Sequence, residues 1–284
     1  MKKIINWKCS YCLIWVLLFL ASQISFSQID SSTVASISLT DGTELKGFII
    51  AENDSTIDFR TISGIDIKIR RNLVEDISFS EGEIISGEFQ RFDPNRTRLF
   101  FGPTARTVEQ GKGYFSAYEI FIPFLAVGVT DFLMLSGGVS LVPGAEEQVI
   151  YVGPKVRFLN VENFSLAGGI IYAHVEDVDF GVAYGVTTIG SERYSFTIGV
   201  GYGYEDSEFS DSPVLMLGGE IQASNSVKFL TENWIIPSSE TGLISFGIRF
   251  FGDNLAADFG LMTTTEGTDE GFPFIPWIGF AYNW

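Results

Sequence analysis

The sequence predicts an all-β chain in which a small β module precedes an antiparallel transmembrane β-barrel of about 12 strands. Segments of about ten residues alternate apolar with small or polar side chains through residues 97–284, and a tilted strand needs that length to cross a bilayer. The connections between these segments alternate between tight and loose. The last segment is a strand with one apolar face. These three observations together predict the barrel.

The N-terminus has the pattern of a secretory signal peptide. Lys2, Lys3 and Lys8 precede an apolar run over residues 11–20, and small residues follow as far as Ser27. A charged start, a short apolar stretch and small residues before the cut characterise such signals. We therefore assign residues 1–27 to the signal peptide. The alternative, a membrane anchor, would need an apolar run of roughly 20 residues.

Cysteine content and charge exclude several function classes. Cys9 and Cys12 both lie in the signal peptide, so the mature chain has neither disulfides nor thiol chemistry. The whole chain has 18 Lys and Arg against 35 Asp and Glu, a net charge of −17, and cleavage removes three lysines. This acidity argues against nucleic acid as a partner, because phosphates require a basic surface. We find no phosphate-binding loop, metal-ligand spacing or nucleophile elbow, and expect no cofactor and no metal.

Residues 28–86 are interpreted as a small β module. Five short strands over residues 33–79 read VASISL, ELKGFII, TIDFRT, DIKIRR and VEDISF, separated by turn residues such as Asp41-Gly42 and Ser63-Gly64. The stretches LTDGTELKGFI, FRTISG and RNLVEDI resemble the small Sm-like and SH3-like barrels. The RNA binding known for Sm-like folds does not transfer to an exported acidic chain. A protein-contact role and a folded spacer or plug at the barrel mouth both remain open, and residues 87–96 are assigned to a linker.

Residues 97–284 are assigned to the barrel because their strands separate large from small side chains. In residues 194–205 one face carries Tyr, Phe, Ile and Val, and the other carries Ser, Thr and Gly. We assign the large face to lipid and the small face to the lumen. Three further segments receive the same assignment, with these lipid-facing residues: Leu133, Leu135, Val139 and Leu141; Phe180, Val182, Tyr184 and Val186; Ile244, Phe246, Ile248 and Phe250.

The connections give the orientation of the barrel. Outer-membrane barrels have short periplasmic turns and longer external loops. Tight turns are predicted at residues 130–131, 160–163, 190–192, 224–226 and 252–254, and loose ones at 143–147, 176–177, 205–211, 237–240 and 264–271. With residues 97–106 counted as the first strand, the number of strands is about twelve, with ten as the alternative.

Charged side chains are assigned to the lumen, because each would cost roughly 2–4 kcal/mol on the lipid face near the midplane. The predicted lumen residues are Arg98, Arg106, Glu119, Lys155, Arg157, Glu220, Lys228, Glu232, Arg249 and Asp258. Two interpretations follow from this mixture of signs. Interlocked ion pairs would fill and close the interior, or the same groups would line a narrow polar path for small solutes.

Two other features suggest alternative functions. His174 is the single histidine, and outer-membrane phospholipases pair a His with a serine two residues later. Here Val175 and Glu176 follow it, so the match fails at the nucleophile and we expect no enzyme; a lipid-modifying enzyme remains the alternative. The loose loops are rich in Asp and Glu. Such loops keep an exposed surface solvated, but they also leave an adhesion or surface-interaction role open.

The end of the chain resembles a known signal. Ile278, Phe280, Tyr282 and Trp284 alternate with small or polar residues, much like the terminal strand that the barrel-assembly machinery reads in outer-membrane barrels. Residues 93–107 (DPNRTRLFFGPTART) and 113–144 are similar to uncharacterised outer-membrane barrels of Gram-negative bacteria, with FFGPT opening the first strand. The resemblance implies location in the outer membrane. If Trp284 ends in the periplasm and residues 97–106 form the first strand, the tight turns and the module lie on the periplasmic side as well.

These observations predict a function class. We expect a non-enzymatic outer-membrane barrel with a structural or narrow solute-pore role. Its expected partners are outer-membrane lipid, the assembly machinery through the terminal strand, and a periplasmic protein at the module. The third class left open is a secreted soluble β protein that only imitates a barrel.

Overall fold

Two antiparallel sheets make up the structure, a computed structural model that describes residues 32–206, 208–237, 241–265 and 274–284. The smaller sheet is formed by the N-terminal module and the larger one closes into a barrel. The predicted signal peptide lies outside the described residues. Within these ranges, no helix is both long and apolar enough to cross a membrane.

The module sheet has the strand order β4-β3-β2-β1-β5-β6. The strands are β1 (Ser32–Leu39), β2 (Glu44–Glu52), β3 (Thr56–Thr61), β4 (Asp66–Arg70), β5 (Val74–Ile85) and β6 (Glu88–Arg91), with a 3₁₀ turn at Arg71–Leu73. Each of the five predicted strands is present. The sixth, β6, corrects the assignment of residues 87–96 to a linker. Ser86 and Gly87 have φ of 53° and 83°, which suits a two-residue hairpin turn.

The module has a core of its own. Ile37, Ile57 and Phe59 are at most 1% exposed and pack with Ile69 and further apolar side chains from β1 to β5. They alternate with exposed residues because successive side chains of a strand point to opposite faces. In the described pairings β4 and β5 are not joined and the sheet is open. The closed Sm-like or SH3-like barrel therefore stays a prediction.

The larger sheet is a closed barrel of twelve strands, which confirms the predicted number. Each strand pairs with its neighbours in the chain, and the last pairs with the first. A two-residue strand, β14 (Glu208–Phe209), extends one end of β13. The wall strands are β7 (Gly113–Tyr118), β8 (Ile122–Thr130), β9 (Leu133–Val139), β10 (Ile150–Val161), β11 (Phe164–Val175), β12 (Val178–Gly190), β13 (Tyr194–Glu205), β15 (Val214–Ser224), β16 (Val227–Ile236), β17 (Thr241–Phe251), β18 (Leu255–Thr264) and β19 (Ile275–Asn283).

The assignment of residues 97–106 to the first wall strand is wrong. These residues pair with no wall strand; apart from an isolated bridge between Arg98 and Pro103, they form no ladder. The wall begins instead at β7, and a turn through Glu119 and Ile120, with φ of 47° and 66°, separates β7 from β8. The strand count stays even because this extra hairpin replaces the missing strand.

In β9, β13 and β17 the side chains predicted to face lipid do so. In β12 the side chains predicted to face lipid face the lumen instead. Val186 is 1% exposed and faces the lumen, whereas an added Cβ at Gly185 would meet nothing within 4 Å. The register explains the reversal. Val186 lies opposite Gly199 of β13, and a lumen-facing glycine leaves room for the larger residue beside it.

The module sits at the end of the barrel that carries the tight turns. Arg91 donates from Nε to Oδ1 of Asp253 at 2.7 Å, and the amide of Asn225 donates to the carbonyl of Phe89 at 2.8 Å. The chain end lies at the same mouth, since the backbone N–H of Asn283 donates to the carbonyl of Asn254 at 2.6 Å. Tight turns, chain terminus and module therefore share one side.

Removing the Asp253 carboxylate should loosen the module without affecting the barrel. We expect Asp253→Ala to weaken the docking by about 1 kcal/mol, the usual upper value for a partly exposed ion pair. Hydrogen exchange in β6 should then speed up several-fold while exchange in β16 and β17 stays the same. Asp66→Ala, which breaks the exposed Arg60 pair within the module, is the control. Equal exchange of β6 in both variants would contradict the docking contact.

Candidate functional site

A segment of the chain fills the lumen. We call residues 93–107 the lumen segment. It enters from the module end, and Asp93, Asn95, Leu99 and Phe100 within it are fully buried. It turns back as a tight hairpin, in which the N–H of Leu99 donates to the carbonyl of Gly102 at 2.9 Å. Because buried backbone groups need partners, those that are not paired within the segment must be satisfied by the barrel wall.

Arg249 of β17 is the main anchor of the segment. Its guanidinium donates to the carbonyl oxygens of Asn95 and Leu99 at 3.0 and 2.5 Å, and to Oδ2 of Asp93 at 2.8 Å. It also pairs with its wall neighbour Asp258, from Nε to Oδ1 at 2.5 Å. One fixed fork of donors therefore holds several atoms of the segment at once.

Arg98 closes this cluster from the segment side. Its Nη1 lies 2.5 Å from Oδ2 of Asp258, and its guanidinium carbon lies 5.3 Å from the centre of the Tyr118 ring. Asp258 is thus bracketed by one arginine from the wall and one from the segment. Such a buried arrangement keeps each charge compensated.

A second cluster holds the other arm of the segment. Arg106 contacts Glu220 through Nη1 and donates to the carbonyl of Ser191 at 2.8 Å. Lys228 bridges the two clusters, with its Nζ 2.9 Å from Oε2 of Glu220 and 3.2 Å from Oδ2 of Asp93. The side chains of Glu220 and Lys228 are fully buried.

Glu232 of β16 caps the hairpin tip. Its Oε2 accepts hydrogen bonds from the backbone N–H groups of Phe100, Phe101 and Gly102 at 2.8, 3.2 and 3.1 Å. Its Oε1 accepts from the indole N–H of Trp234 at 2.8 Å. Three consecutive N–H groups that converge on one carboxylate form an anion-binding nest, here occupied by a side chain of the wall.

Lys155 of β10 completes the attachment. Its ammonium donates to the carbonyl oxygens of Thr97 and Thr104 at 3.0 and 3.2 Å. These two residues face each other across the hairpin, where the N–H of Thr104 donates to the carbonyl of Thr97. A wall cation therefore joins both arms of the hairpin.

The predicted lumen residues fall into four groups. Lys155, Glu220, Lys228, Glu232, Arg249 and Asp258 are buried on the inner wall, and Arg98 and Arg106 belong to the lumen segment. Arg157 is half-buried on β10. The assignment of Glu119 is wrong, because it lies in the β7–β8 turn. There its Oε1 accepts from the N–H of Ile278 at 2.8 Å.

Sequence reasoning misses two carboxylates of this site. It places Asp93 in the linker and Glu192 in a tight turn. In the structure, Oε1 of Glu192 lies 3.5 Å from Nε of Arg106. Charge balance could have indicated them. The predicted lumen set holds more basic than acidic groups, and a buried interior must be close to neutral.

The titration of Asp93 gives a pH prediction. Burial raises the pKa of Asp93, but the charges of Arg249 and Lys228 outweigh it and hold the pKa below its ordinary value. A lowered folded-state pKa means that the stabilisation is fully present above the unfolded pKa of about 3.9. It is lost progressively as pH falls from there through the lower folded value.

We therefore expect Asp93→Asn to lower unfolding stability by about 3 kcal/mol, as for one partner of a buried pair. The difference from wild type should be equal at pH 7.5 and pH 5 and should shrink near pH 2. Urea unfolding in lipid vesicles at the three pH values measures it. A difference that already vanishes at pH 5 would contradict the paired state of Asp93.

Neutralising Glu232 should destabilise the hairpin tip. Hydrogen bonds to charged groups contribute about 1.5–3 kcal/mol, so Glu232→Gln should lower unfolding stability by an amount in this range. Glu88→Gln, at an exposed position of β6, is the matched control and should change stability by less than about 0.5 kcal/mol. Equal urea midpoints for the two variants would refute the nest.

The other candidates from the sequence lie at the surface. His174 Nδ1 is 2.8 Å from Oδ1 of Asp179, which also accepts from the Tyr172 hydroxyl at 2.6 Å, and His174 is half exposed. In the part of the chain that the structure describes, no serine hydroxyl bonds this histidine. The same ranges contain no group of His, Cys, Asp or Glu that could hold a metal.

The terminal strand faces outward. Ile278, Phe280, Tyr282 and Trp284 are each between 42% and 49% exposed on the barrel exterior. The first three lie in β19 and Trp284 follows it directly; β19 closes the barrel by pairing with both β18 and β7. Its role as an assembly signal stays a prediction.

No family model and no curated protein sequence matches the chain. Among solved structures, it is similar to the KdgM porin in complex with disordered oligogalacturonate, at 8% identity over 61% of this chain and 95% of that chain, with a TM-score of 0.45. It is also similar to the NanC porin, at 9% identity over 61% of this chain and 97% of that chain, with a TM-score of 0.40. A further similar structure is OmpT of Vibrio cholerae, at 10% identity over 89% of this chain and 97% of that chain, with a TM-score of 0.32. These distant similarities assign neither solute nor activity.

Proposed function

We propose that the chain is a non-enzymatic outer-membrane β-barrel that is closed at rest by its own lumen segment and carries its module on the periplasmic side. The observation that carries the proposal is the attachment of residues 93–107 to buried wall charges on several strands. Removing one partner of a buried ion pair costs about 3–5 kcal/mol. Leaving the lumen would break several such pairs together, so the resting state is closed.

The outer surface supports membrane insertion. Phe196, Phe246 and Phe259, on three different wall strands, are each about half exposed although they are large and apolar. A band of such side chains around a closed barrel suits lipid, and in water it would be a large exposed apolar patch. The soluble alternative is therefore disfavoured by the surface as well as by the closure of the sheet.

We favour a structural role over a role as a solute pore. A path for solutes would require the lumen segment to move, because it occupies the centre of the barrel. The module would then serve as the periplasmic contact. Its exposed apolar side chains include Ile50, Ile65 and Phe79, which are 56%, 61% and 58% exposed, and these are the candidate residues for that contact.

Labelling of single cysteines tests both insertion and sidedness, because the chain from residue 28 onward has no cysteine. Asp54→Cys places a thiol in the module and Glu146→Cys places one in a loop at the opposite end; both positions are exposed. On intact Gram-negative cells, a membrane-impermeant maleimide should label Glu146→Cys alone, and both after lysis. The reverse pattern would refute the orientation, and recovery in the soluble fraction would refute insertion.

A further inference from the structure

An apolar cavity of about 360 Å³ lies inside the barrel, beyond the tip of the lumen segment. Its floor is formed by Phe101, Gly102 and Pro103. Five neighbouring wall strands each contribute one residue at the same height in the barrel, because each residue pairs with the next one across adjacent strands. These residues are Val186, Gly199, Met216, Trp234 and Leu243.

Two glycines of β13 keep the cavity open. Gly199 and Gly201 face the lumen, between the larger side chains of β12 and β15. A Cβ added at Gly201 would lie 2.7 Å from Cγ1 of Val182, and one added at Gly199 would lie 3.3 Å from Met216. The space is therefore a concavity that any side chain on this strand would reduce.

The cavity offers almost no polar partner. Its aromatic floor is a parallel stack of Phe101 on Trp234, with ring centres 5.3 Å apart and planes at 5°. The nearest carboxylate, Glu232, already accepts four hydrogen bonds from the tip and from Trp234. The remaining buried charges lie toward the module end. A cavity with such an apolar lining binds apolar molecules.

The rim selects against anions. Asp177, Glu205 and Glu208 are exposed at the ends of β12, β13 and β14, which form the mouth opposite the module. Clustered negative charge at an entrance lowers the local concentration of anions. An anion is therefore disfavoured at this mouth, and a cation would find almost no polar partner in the lining of the cavity.

We propose that this cavity is a binding site for an uncharged molecule with a hydrocarbon body. The volume accommodates roughly a dozen water-sized groups, about the size of a medium-length alkyl chain. The ligand stacks on the tip of the lumen segment and leaves the ion pairs beneath it intact. The site rests on the proposed closed lumen, because residues 101–103 of the lumen segment form its floor.

Quenching of Trp234 tests the proposal. The variant Trp277→Phe with Trp284→Phe, in the chain from residue 28, leaves Trp234 as the one tryptophan. The refolded protein is titrated with 8-bromo-1-octanol, whose bromine quenches indole fluorescence on contact. We expect saturable quenching, with at least ten-fold weaker binding of 8-bromooctanoate at pH 7.5. Equal binding of the carboxylate would overturn the uncharged class.

Filling variants separate the cavity from general partition into lipid. Val182→Phe and Gly199→Leu each add volume inside the cavity and should weaken binding at least ten-fold. Ile189→Phe, on the outer face of β12, should leave it unchanged. Folding of each variant is checked by heat-dependent gel mobility. If one of the two filling variants fails to fold, the other still provides the test. Non-saturable quenching, or equal affinity in folded filling variants and Ile189→Phe, would overturn the site. Because the assay measures binding and not conductance, its failure would leave the closed-lumen proposal standing.

Discussion

Replacing residues 93–107 with a Gly-Ser linker of equal length should convert a silent barrel into a conducting one. Barrels of about eight strands are filled by their own side chains, and those of 16–18 enclose an aqueous channel. A twelve-stranded barrel is intermediate, and without the lumen segment its interior should hold water. We expect steady single-channel conductance in a planar bilayer, at least ten times that of the intact chain.

The wall should survive this replacement because its charges also pair with one another. Arg249 remains beside Asp258, and Lys228 remains beside Glu220. Removing residues 28–92 alone is the matched control, and that form should stay silent because the lumen segment remains. An intact chain that already conducts at the level of the linker variant would refute closure by this segment.

Arg249→Met should be the most destabilising single substitution of the lumen. It removes the donor shared by the carboxylates of Asp93 and Asp258 and by three carbonyl groups of the segment. Loss of one partner in a buried network costs about 3–5 kcal/mol. Urea unfolding in lipid vesicles should show this loss, and brief openings should appear in the planar bilayer as the segment loosens.

Two controls isolate the buried pair. Arg60→Met breaks an exposed ion pair, in which Arg60 and Asp66 are 50% and 67% exposed, and should leave the unfolding stability almost unchanged. The double variant Arg249→Met with Asp258→Met should lose less stability than the sum of the two single variants, because both substitutions break the same ion pair. A double variant that simply adds two losses would contradict coupling between these residues.

The wall strands could be predicted from the sequence because successive side chains of a strand point to opposite faces. In a barrel wall one face contacts lipid and the other faces the lumen, so large and small residues alternate along the chain. Residues 194–205 show it most clearly, and β13 has the predicted phase. In β12 the same reasoning failed at Val182, Tyr184 and Val186. Those side chains face inward because β13 presents glycines there, and a single strand carries no information about the size of its neighbour's residues.

The lumen segment was beyond pattern reasoning for a related reason. Leu99, Phe100 and Ala105 are as buried as a protein core, so the segment has the apolar content of a wall strand. Pro103 and the paired arginines Arg98 and Arg106 distinguish it only after the partners across the lumen are known. The count of twelve strands was reached although the first strand was misplaced, because an unpredicted hairpin made up the number.

A disulfide between the lumen segment and the wall tests the central claim most directly. The N–H of Ala105 donates to the Thr188 hydroxyl at 2.9 Å, so Ala105→Cys with Thr188→Cys brings two thiols together in a chain that has no other cysteine from residue 28 onward. We predict quantitative oxidation and no conductance. Ala105→Cys with Ile189→Cys, whose second thiol faces lipid, should not cross-link. Failure of the first pair to form in a folded barrel, with the thiol introduced by Ala105→Cys open to a water-soluble maleimide, would show that the segment lies outside the lumen.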